Sequence, residues 1–530
     1  MLKKIQSLLS YGTDLPGNSP WVWILLLAPT ILLFILRFSF LSLGSYWDEI
    51  WVYHPAVHYL IEHGVSFDPN ALPVDLSRGH PTLFHNLFAL WGVIFGDSVI
   101  TLRLFALLVS ASSLVFLGLV LRHFKLPLIL IFLVEISLIA QPEFFQQSTQ
   151  ILPEVMLGLF VLSSLYFYLK RNLILLALSL NLLLMTKESG IIFWFLFLVC
   201  EWLFYSREKR GQVIRTSLSI LAGLAIPVLF FVVQYFEKGW VFFPEHTGML
   251  NFEYHDILVN FQNFYLRVFE FKGRYLLSLS IWLSIGLVWP YSNWKIRIFH
   301  LVLLGSLLKV LFGYWEVPNE WVIPVCAVMI AGFVYTFFIP WKKQSDEKKM
   351  VTFGLMACVL FIGYSAINFF TFRYLLCLIP IFLGGSALLL HRSFAQWTIV
   401  PVLIFVGAIS WNVVDWQEEK IFDVSSGYKD GVESFQEAML KIEELDIYDK
   451  SIHVGFLDKY AFNHAYIGYR NSTIPFTAIN TLPRGESEYV LCKNFGNECD
   501  PENLKDEYEV VFCVEKGIAY SCLLQRKSQN

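Results

Sequence analysis

Residues 21–50, WVWILLLAPTILLFILRFSFLSLGSYWDEI, join a long apolar run to two adjacent acids, Asp48 and Glu49. At a rise of about 1.5 Å per residue, a helix over 21–43 is long enough to cross a hydrocarbon core about 30 Å thick. Two lysines precede the run and no small-residue cleavage site follows it, so the run is typical of a retained membrane anchor. The stretch therefore predicts a membrane-spanning helix that brings two carboxylates to the membrane surface.

The composition extends this prediction to most of the chain. Of the 530 residues, 56% are hydrophobic and only 15% are charged, which excludes an ordinary soluble globule of this size. Because backbone polar groups inside a bilayer must be satisfied internally, we expect helices to form the membrane domain. The net charge of −4 is small, so the composition predicts no nucleic-acid partner.

Apolar runs of helical length recur about 13 times and predict an all-α polytopic membrane protein. They lie near 21–43, 99–121, 126–141, 151–169, 172–186, 189–206, 213–236, 274–291, 297–313, 319–340, 350–370, 373–390 and 396–411. Alternate loops between them carry the Lys and Arg residues that cytoplasmic loops retain, so we expect the N-terminus in the cytoplasm. An odd number of crossings puts the C-terminus outside, in the periplasm if the membrane is a bacterial inner membrane.

Two domains are predicted, a transmembrane domain over residues 1–411 and a small extracytoplasmic α/β domain over 412–530. In the second domain we expect an amphipathic helix over 428–445, followed by several short strands. The first outer loop, 44–98, contains the two acids. The second outer loop, 237–273, is rich in aromatic residues, which indicates either interfacial helices or one wall of an acceptor groove.

Four cysteines fall in the predicted outer domain. The runs EVVFCV and IAYSCLL read as two strands about a turn near 516–517, which sets Cys513 opposite Cys522. A short loop with a central glycine joins Cys492 to Cys499. In an oxidising compartment this spacing predicts two disulfides, and four free thiols are the alternative.

Acids and bases from distant stretches share the predicted outer face. A lone acid beside a span is usually a solvated interfacial charge, but a group of acids and bases indicates a site for a charged, lipid-linked ligand. The residues of this group are Asp48, Glu49, Arg78, His80, Glu154, Lys187 and Arg373.

Five blocks of the sequence resemble, in order and spacing, the C-type (GT-C) glycosyltransferases. They are similar in particular to the aminoarabinose-transferase and protein O-mannosyltransferase branch. The blocks are WDEIWVYHPAVHYLIEHG from residue 47, GHPTLFHNLFALWGVIFGDSVITLRLFALL at 79–108, QPEFFQQSTQILPEVMLGLF at 141–160, LLMTKESGIIFWF at 183–195 and RYLLCLIP at 373–380.

The resemblance implies the GT-C fold and the transfer of a sugar from a polyprenyl-phosphate carrier. The acceptor would be a lipid, a glycan or a protein at the outer face, with membrane lipids around the enzyme. The family's first-loop acid falls on Asp48, with Glu49 beside it, its basic residue on His80 and its TK lysine on Lys187. Its second acid falls on Glu154.

The chemistry of these residue types suits that reaction. An acceptor hydroxyl needs a base, and either Asp48 or Glu49 is a candidate catalytic residue. A departing lipid phosphate needs cations, and Lys187, His80 and Arg373 are the candidates, with Arg78 nearby in sequence. One carboxylate suffices for a direct, inverting displacement. Arg103 matches a family arginine, but an arginine at the end of a span is equally typical of a snorkelling anchor.

Metal binding is the weaker interpretation of the first outer loop. His54, His58 and Glu62 recur at helical spacing, but Pro55 interrupts the stretch and interfacial histidines are common. We therefore expect no metal ligands and no required cofactor, with a divalent metal as the lesser alternative.

A transporter or flippase of lipid-linked sugars is the alternative function. Glu135 and Lys309 fall inside predicted spans, and buried charges of this kind can line a path. Such a protein would show two similar halves with interrupted helices, and no such repeat is evident. A non-catalytic assembly or receptor protein would leave the shared face of acids and bases unexplained.

Overall fold

Helices account for most of the chain, as the apolar composition requires. The computed structural model describes residues 20–205, 207–287, 346–368, 371–394, 397–414, 421–425, 427–481, 487–496 and 499–528. The predicted spans at 297–313 and 319–340, together with Lys309, lie outside the described residues.

Most of the longer described helices follow the predicted apolar runs, and four form outside them, namely two in the loop 44–98, one in the loop 237–273 and one in the C-terminal segment. The longer helices are Pro20–Arg37, His54–His63, Leu83–Phe95, Val99–His123, Leu128–Ile139, Pro153–Leu169, Leu173–Thr186, Ile191–Leu203, Arg210–Ala222, Ala225–Lys238, Tyr254–Phe269, Arg274–Leu287, Asp346–Ile367, Ile379–Ser393, Ile399–Val414 and Tyr428–Glu444. Shorter helical turns are Val74–Ser77, Pro142–Gln147, Pro244–Gly248, Asp458–Asn463, the π-helical Glu49–Tyr53, and 3₁₀ turns at Phe38–Phe40, Glu188–Gly190, Arg207–Lys209, Phe372–Cys377, Ala465–Ile467 and Pro501–Leu504.

Five described helical segments are long and apolar enough to cross a membrane, judged by length and composition. They are Trp23–Phe40, Val99–His123, Arg207–Lys238, Asp346–Ile367 and Phe372–Ser393. Shorter apolar helices, such as Pro153–Leu169 and Leu173–Thr186, accompany them. The chain is therefore a mainly helical integral membrane protein, while the total of about 13 crossings stays a prediction.

One predicted helix is interrupted. The run at 213–236 forms two helices, Arg210–Ala222 and Ala225–Lys238, joined by a turn at Gly223 and Leu224. A Cβ atom on Gly223 would lie 2.6 Å from the Cβ of Leu180, so the position has no room for a side chain. A glycine inside a helix also weakens it by about 1 kcal/mol, and Pro227, four residues on, has no N–H to donate to the Gly223 carbonyl, so both residues favour an interruption here.

The described residues form two compact units. The helical unit comprises Met1–Leu33, Ala111–Gln141 and Glu154–Asp415, as far as these ranges are described. The mixed unit comprises the described residues of Phe34–Ser110, Pro142–Pro153 and Trp416–Asn530. The first outer loop and the C-terminal segment therefore belong to one compact unit.

Aromatic packing stabilises the helical unit. The ring centroids of Phe197 and Phe353 are 4.6 Å apart, and those of Phe193 and Phe361 are 5.4 Å apart. These contacts join Ile191–Leu203 to Asp346–Ile367. In the aromatic outer loop, the helix Tyr254–Phe269 forms and buries Phe264, Val268 and Phe269.

A five-stranded sheet forms the C-terminal part of the mixed unit. Its strands are β1 (Ile452–His453), β2 (Ile479–Asn480), β3 (Tyr489–Lys493), β4 (Tyr508–Lys516) and β5 (Ala519–Arg526). The spatial order is β2, β1, β3, β5, β4. β1 pairs in parallel with β2 and β3, and β5 pairs antiparallel with β3 and β4.

The helix expected over 428–445 forms as Tyr428–Glu444 and packs on β4 and β5. It buries Val432, Phe435, Met439 and Ile442, which recur every three or four residues along one face. This apolar stripe covers the sheet and closes the core of the C-terminal segment.

Both predicted disulfides are present. Cys513 pairs with Cys522 across β4 and β5, where the two residues are direct partners in the register. Cys492 pairs with Cys499 across the short loop that contains Gly496. The turn between β4 and β5 has Gly517 at a φ of 51°, a left-handed conformation that favours glycine.

Candidate functional site

The residues singled out in the sequence fall into two groups. Asp48, Glu49, Arg78 and His80 belong to the mixed unit, whereas Glu154, Lys187 and Arg373 belong to the helical unit. Each group has its own geometry, and their catalytic roles stay predictions.

A π-helical turn over Glu49–Tyr53 carries the two adjacent acids into the helix His54–His63. Pro55 lies in the first turn of that helix, where the missing N–H costs nothing. Trp47, just before Asp48, has a φ of 53°, a strained conformation for a bulky residue. Wide π-turns and strained residues of this kind are concentrated at functional sites.

Glu49 is fully buried and both of its carboxylate oxygens are occupied. Its Oε1 accepts a 2.6 Å hydrogen bond from the Ile151 N–H, and its Oε2 accepts one from the Tyr46 N–H. Arg103 Nη2 donates to the same Oε2 over 3.0 Å. Burial raises the pKa of the Glu49 carboxyl, and Arg103 with the two N–H donors opposes that rise. Glu49 is therefore held inside a closed network.

Arg103 connects several backbone segments within the mixed unit. Its guanidinium donates to the carbonyl oxygens of Leu43, Gly44 and Thr149 at 2.8 to 2.9 Å. It also donates to the Tyr428 hydroxyl over 3.0 Å. Because the side chain is fully buried, it is not a snorkelling anchor but a structural cross-link.

Asp48 lies in a different environment from its neighbour. It is half-buried, and its Oδ1 accepts a 3.0 Å hydrogen bond from the Trp51 indole N–H. The Arg78 guanidinium lies 5.1 Å from the centroid of a Trp51 ring. The rings of Tyr53 and His80 are nearly parallel, with centroids 6.5 Å apart. The π-helical turn thus brings three of the sequence-predicted residues together around two aromatic side chains.

The second group converges at the ends of three apolar helices. Glu154 lies in the first turn of Pro153–Leu169, and Lys187 directly follows Leu173–Thr186. Arg373 lies in the 3₁₀ turn Phe372–Cys377, just before Ile379–Ser393. All three side chains are buried.

Two cations share one carboxylate oxygen in this cluster. Lys187 Nζ donates to Glu154 Oε1 over 2.9 Å, and Arg373 Nε lies 3.5 Å from the same oxygen. Among the described residues, Glu154 Oε2 has no hydrogen-bond partner. Lys187 Nζ also lies 3.9 Å from the centroid of the Tyr374 ring. The three side chains carry a formal charge of +1, which suits an anionic ligand in a site of low dielectric.

The histidines considered as metal ligands have protein partners. His54 Nδ1 and Ser45 Oγ share a 2.7 Å hydrogen bond, and burial lowers the pKa of His54 to about 3. His58 lies 3.3 Å from Glu62 and 3.5 Å from Asp97. These contacts engage one ring nitrogen of His54 and place two acids beside His58, while His54 Nε2 has no hydrogen-bond partner among the described residues. The metal-free site stays a prediction.

Sequence reasoning missed the aromatic partners of both groups. Trp51 lies three residues after Asp48, a spacing that places the two on one face of a helical turn, so the pattern carried a usable signal. Tyr374 adjoins Arg373, but its contact with Lys187 depends on helix packing. Tyr428 contacts Arg103 across 325 positions, and no local pattern indicates that.

No family model matches the chain, and comparison with curated proteins finds no match. Several solved structures are similar to it, among them the following three. One is the S. cerevisiae protein O-mannosyltransferase Pmt1-Pmt2 complex bound to the sugar donor, at 17% identity and a TM-score of 0.33, covering 45% of this chain and 35% of that one. The chain therefore spans about a third of that relative's length.

The other two are ArnT, an aminoarabinose transferase, from Cupriavidus metallidurans. The form bound to undecaprenyl phosphate is 11% identical with a TM-score of 0.45, covering 97% of this chain and 99% of that one. The apo form is 11% identical with a TM-score of 0.43, covering 96% and 98%. These proteins come from the branch that the five sequence blocks resemble, as predicted. At TM-scores below 0.5, the activity of this chain has to be argued from its own residues.

Proposed function

We propose that the chain is a glycosyltransferase that moves a sugar from a polyprenyl-phosphate carrier to an acceptor by inverting displacement. The observation that carries the proposal is the buried cluster in which Lys187 and Arg373 converge on Glu154. The five sequence blocks that resemble GT-C glycosyltransferases give the proposal its reaction class.

The cluster suits the leaving group of this reaction. When the bond between the anomeric carbon and the phosphate oxygen breaks, negative charge develops on the phosphate. Lys187 and Arg373 are already held by Glu154, so little reorganisation is needed when that charge forms. His80 and Arg78 are proposed to assist in binding the donor.

Asp48 is the proposed general base. It would accept the proton of the acceptor hydroxyl as the oxygen attacks the anomeric carbon, while the carrier phosphate leaves with the bonding electrons. We assign the role to Asp48 in preference to Glu49 because three donors occupy the two Glu49 oxygens. The Trp51 indole would keep the Asp48 carboxylate oriented.

Turnover with a panel of polyprenyl-phosphate sugars tests the proposal. Purified protein in lipid vesicles should release carrier phosphate from at least one sugar donor. Asp48→Asn should lower kcat by about 10²- to 10⁴-fold, since it keeps the shape and removes the base. Asp75→Asn is the matched control, because Asp75 is an exposed acid of the same loop. Equal activity of the two variants would remove Asp48 from catalysis.

The orientation belongs to the same proposal. The N-terminus would be cytoplasmic, and residues 412–530 would form a periplasmic domain after the membrane domain of 1–411, as the loop charges predict. Two disulfides in the C-terminal segment support an oxidising compartment. In intact cells with a permeable outer membrane, an impermeant thiol reagent should label Lys505→Cys but not Lys348→Cys. The reverse pattern would invert the orientation.

One observation favours the transporter or flippase alternative. Glu135 is buried in the helix Leu128–Ile139, and its two oxygens have no hydrogen-bond partner within the described part of the chain. A Cβ atom on Gly118 would lie 2.2 Å from Glu135 Oε1, so glycine makes room for the carboxyl group. Transfer of a fluorescent lipid-linked sugar between leaflets, without release of carrier phosphate, would favour this alternative over the glycosyltransferase.

A further inference from the structure

A partly exposed aromatic surface lies beside Asp48 in the mixed unit, with one exposed ring and three half-buried side chains. We define it by four side chains, Trp51 of the π-helical turn and Phe456, Lys459 and Tyr460 at the helix Asp458–Asn463. The Trp51 and Phe456 rings lie 5.8 Å apart at 72°, and the Phe456 and Tyr460 rings lie 6.1 Å apart at 79°. Lys459 Nζ lies 4.5 Å from the Phe456 ring and 5.1 Å from the Tyr460 ring.

The exposure of Phe456 needs an explanation. Its side chain is 53% exposed, although neighbouring aromatic residues such as Phe462 and Phe476 are buried in the core of the same unit. Trp51 and Tyr460 pack against the core of the unit, whereas Phe456 lies outside that core and contacts both rings. The three rings therefore form one aromatic surface, with Phe456 as its most accessible member.

The chemistry of this surface suits a sugar. A pyranose ring has a face of C–H groups that packs flat on an aromatic ring, and a rim of hydroxyl groups that needs polar partners. Phe456 provides an accessible ring, while Lys459 and the Tyr460 hydroxyl provide polar groups at its edge. Arg78, over the Trp51 ring, adds a second cation on the side of Asp48.

We propose that this aromatic surface binds a pyranose of the acceptor, so that the acceptor is a glycan. The inference rests on the proposed function for one step only, the role of Asp48 as the base. Trp51 contacts both Asp48 and Phe456, so a sugar ring on Phe456 would lie beside the carboxylate. A hydroxyl of that sugar, or of the residue linked to it, would then reach the base.

Direct binding of simple sugars tests this inference without any turnover. The probes are methyl α-D-glucopyranoside, methyl α-D-mannopyranoside and N-acetylglucosamine, observed by saturation-transfer NMR on the full chain in detergent micelles. At least one probe should bind at millimolar concentration. Phe456→Ala should weaken that binding by about three- to tenfold, the range expected for loss of one aromatic contact. Phe456→Trp should preserve it.

Phe422→Ala is the matched control, since Phe422 is also exposed, at 49%, in the same unit. It should bind the probes like the unchanged protein. Binding of no probe, or equal loss in the two alanine variants, would overturn the inference. So would saturation transfer to a Gly-Ser-Gly peptide, but not to the sugars, because it would indicate a protein acceptor.

The sugar-binding and donor-cleavage experiments test the aromatic surface and the transferase activity separately. Sugar binding at Phe456 without release of carrier phosphate from any donor would refute the transferase and leave the binding surface. Donor cleavage without sugar binding would refute the surface and leave the transferase.

Discussion

Glu49 and Glu154 are both buried acids beside cations, yet their surroundings differ. Glu49 has three donors spread over its two oxygens, and Arg103 beside it donates to three backbone carbonyls as well. Glu154 has its contacts with Lys187 and Arg373 on one oxygen. Its other oxygen has no hydrogen-bond partner in the described part of the chain.

This difference separates a structural network from a candidate ligand site. A buried ion pair whose hydrogen bonds are all made specifies the positions of the segments it joins. In the Glu154 cluster two cations share one carboxylate, and this excess of positive charge suits an anion. Burial alone would have assigned both acids the same role.

The largest expected effect compares Arg103→Met with Lys187→Met. Removing Arg103 leaves Glu49 buried without its cation, so the free energy of unfolding should fall by about 3–5 kcal/mol. Lys187→Met leaves Arg373 beside Glu154, so the free energy of unfolding should fall by less than in Arg103→Met. Donor turnover should fall about ten- to a hundredfold, the effect of losing a charge-assisted hydrogen bond of about 1.5–3 kcal/mol. Denaturant titration followed by tryptophan fluorescence measures the first, and release of carrier phosphate the second.

Arg215→Met serves as the control for both measurements, because Arg215 is exposed. It should change neither quantity. Lys187→Met could instead prove as destabilising as Arg103→Met, with normal turnover in the fraction that folds. The Glu154 cluster would then be structural, like the network around Glu49.

The dependence of stability on pH provides a second test of the buried network around Glu49 and Arg103, through the neighbouring His54. Burial, with a smaller contribution from Arg103, lowers the pKa of His54 to about 3, against about 6.5 in an unfolded chain. Between these values the unfolded chain binds more protons, so stability is present above pH 6.5 and is lost as the pH falls towards 3. The loss should approach about 1.4 kcal/mol per pH unit.

His54→Phe should reduce this slope by the His54 contribution, since the ring of phenylalanine does not titrate. The contribution of buried His85, whose pKa is also lowered to about 3, should remain. His63→Phe, at an exposed position of the same helix, should keep the slope of the unchanged protein. The measurement is the free energy of unfolding of both variants from pH 7 to pH 4.5. Parallel slopes for the two variants would exclude His54 as the cause of the loss of stability at low pH.

The smallest expected effect is that of Tyr428→Phe. This change removes the hydroxyl that accepts from Arg103, but Arg103 keeps its other four partners. The free energy of unfolding should fall by about 0.5–1.5 kcal/mol with kcat unchanged. Tyr254→Phe, on an exposed tyrosine, should change stability by less than about 0.5 kcal/mol. A large loss of kcat in Tyr428→Phe would place the network in the catalytic machinery.

Local patterns predicted the helices and the C-terminal hairpin well. The nearly equal distance of Cys513 and Cys522 from the predicted turn near 516–517 was sufficient to pair them. The interruption at Gly223 was missed although the sequence has a local signal for it, a glycine followed four residues later by Pro227. The bond between Arg103 and Tyr428, by contrast, joins distant segments, and no local pattern indicates it.

The candidate site was also predictable only in part, since sequence patterns identified its residues but not their contacts. Loop charges and the family resemblance selected Glu154, Lys187 and Arg373, which the structure brings into contact. Neither could distinguish Asp48 from Glu49, because the distinction comes from donors at Ile151 and Arg103. Which residues act in catalysis stays a prediction until turnover is measured.

The bond between Arg103 and Tyr428 has a consequence for the biogenesis of the protein. The ribosome makes Arg103 long before Tyr428, so the network around Glu49 stays incomplete until the last fifth of the chain has been translated and folded. A chain that stops near residue 411 would lack that partner and the helix Tyr428–Glu444 that carries it. Membrane insertion can proceed in order from the N-terminus, but the first outer loop completes its buried bonds only after the end of the chain arrives. Premature termination would thus be recognisable to quality-control proteases at the first loop, hundreds of residues away from the missing end.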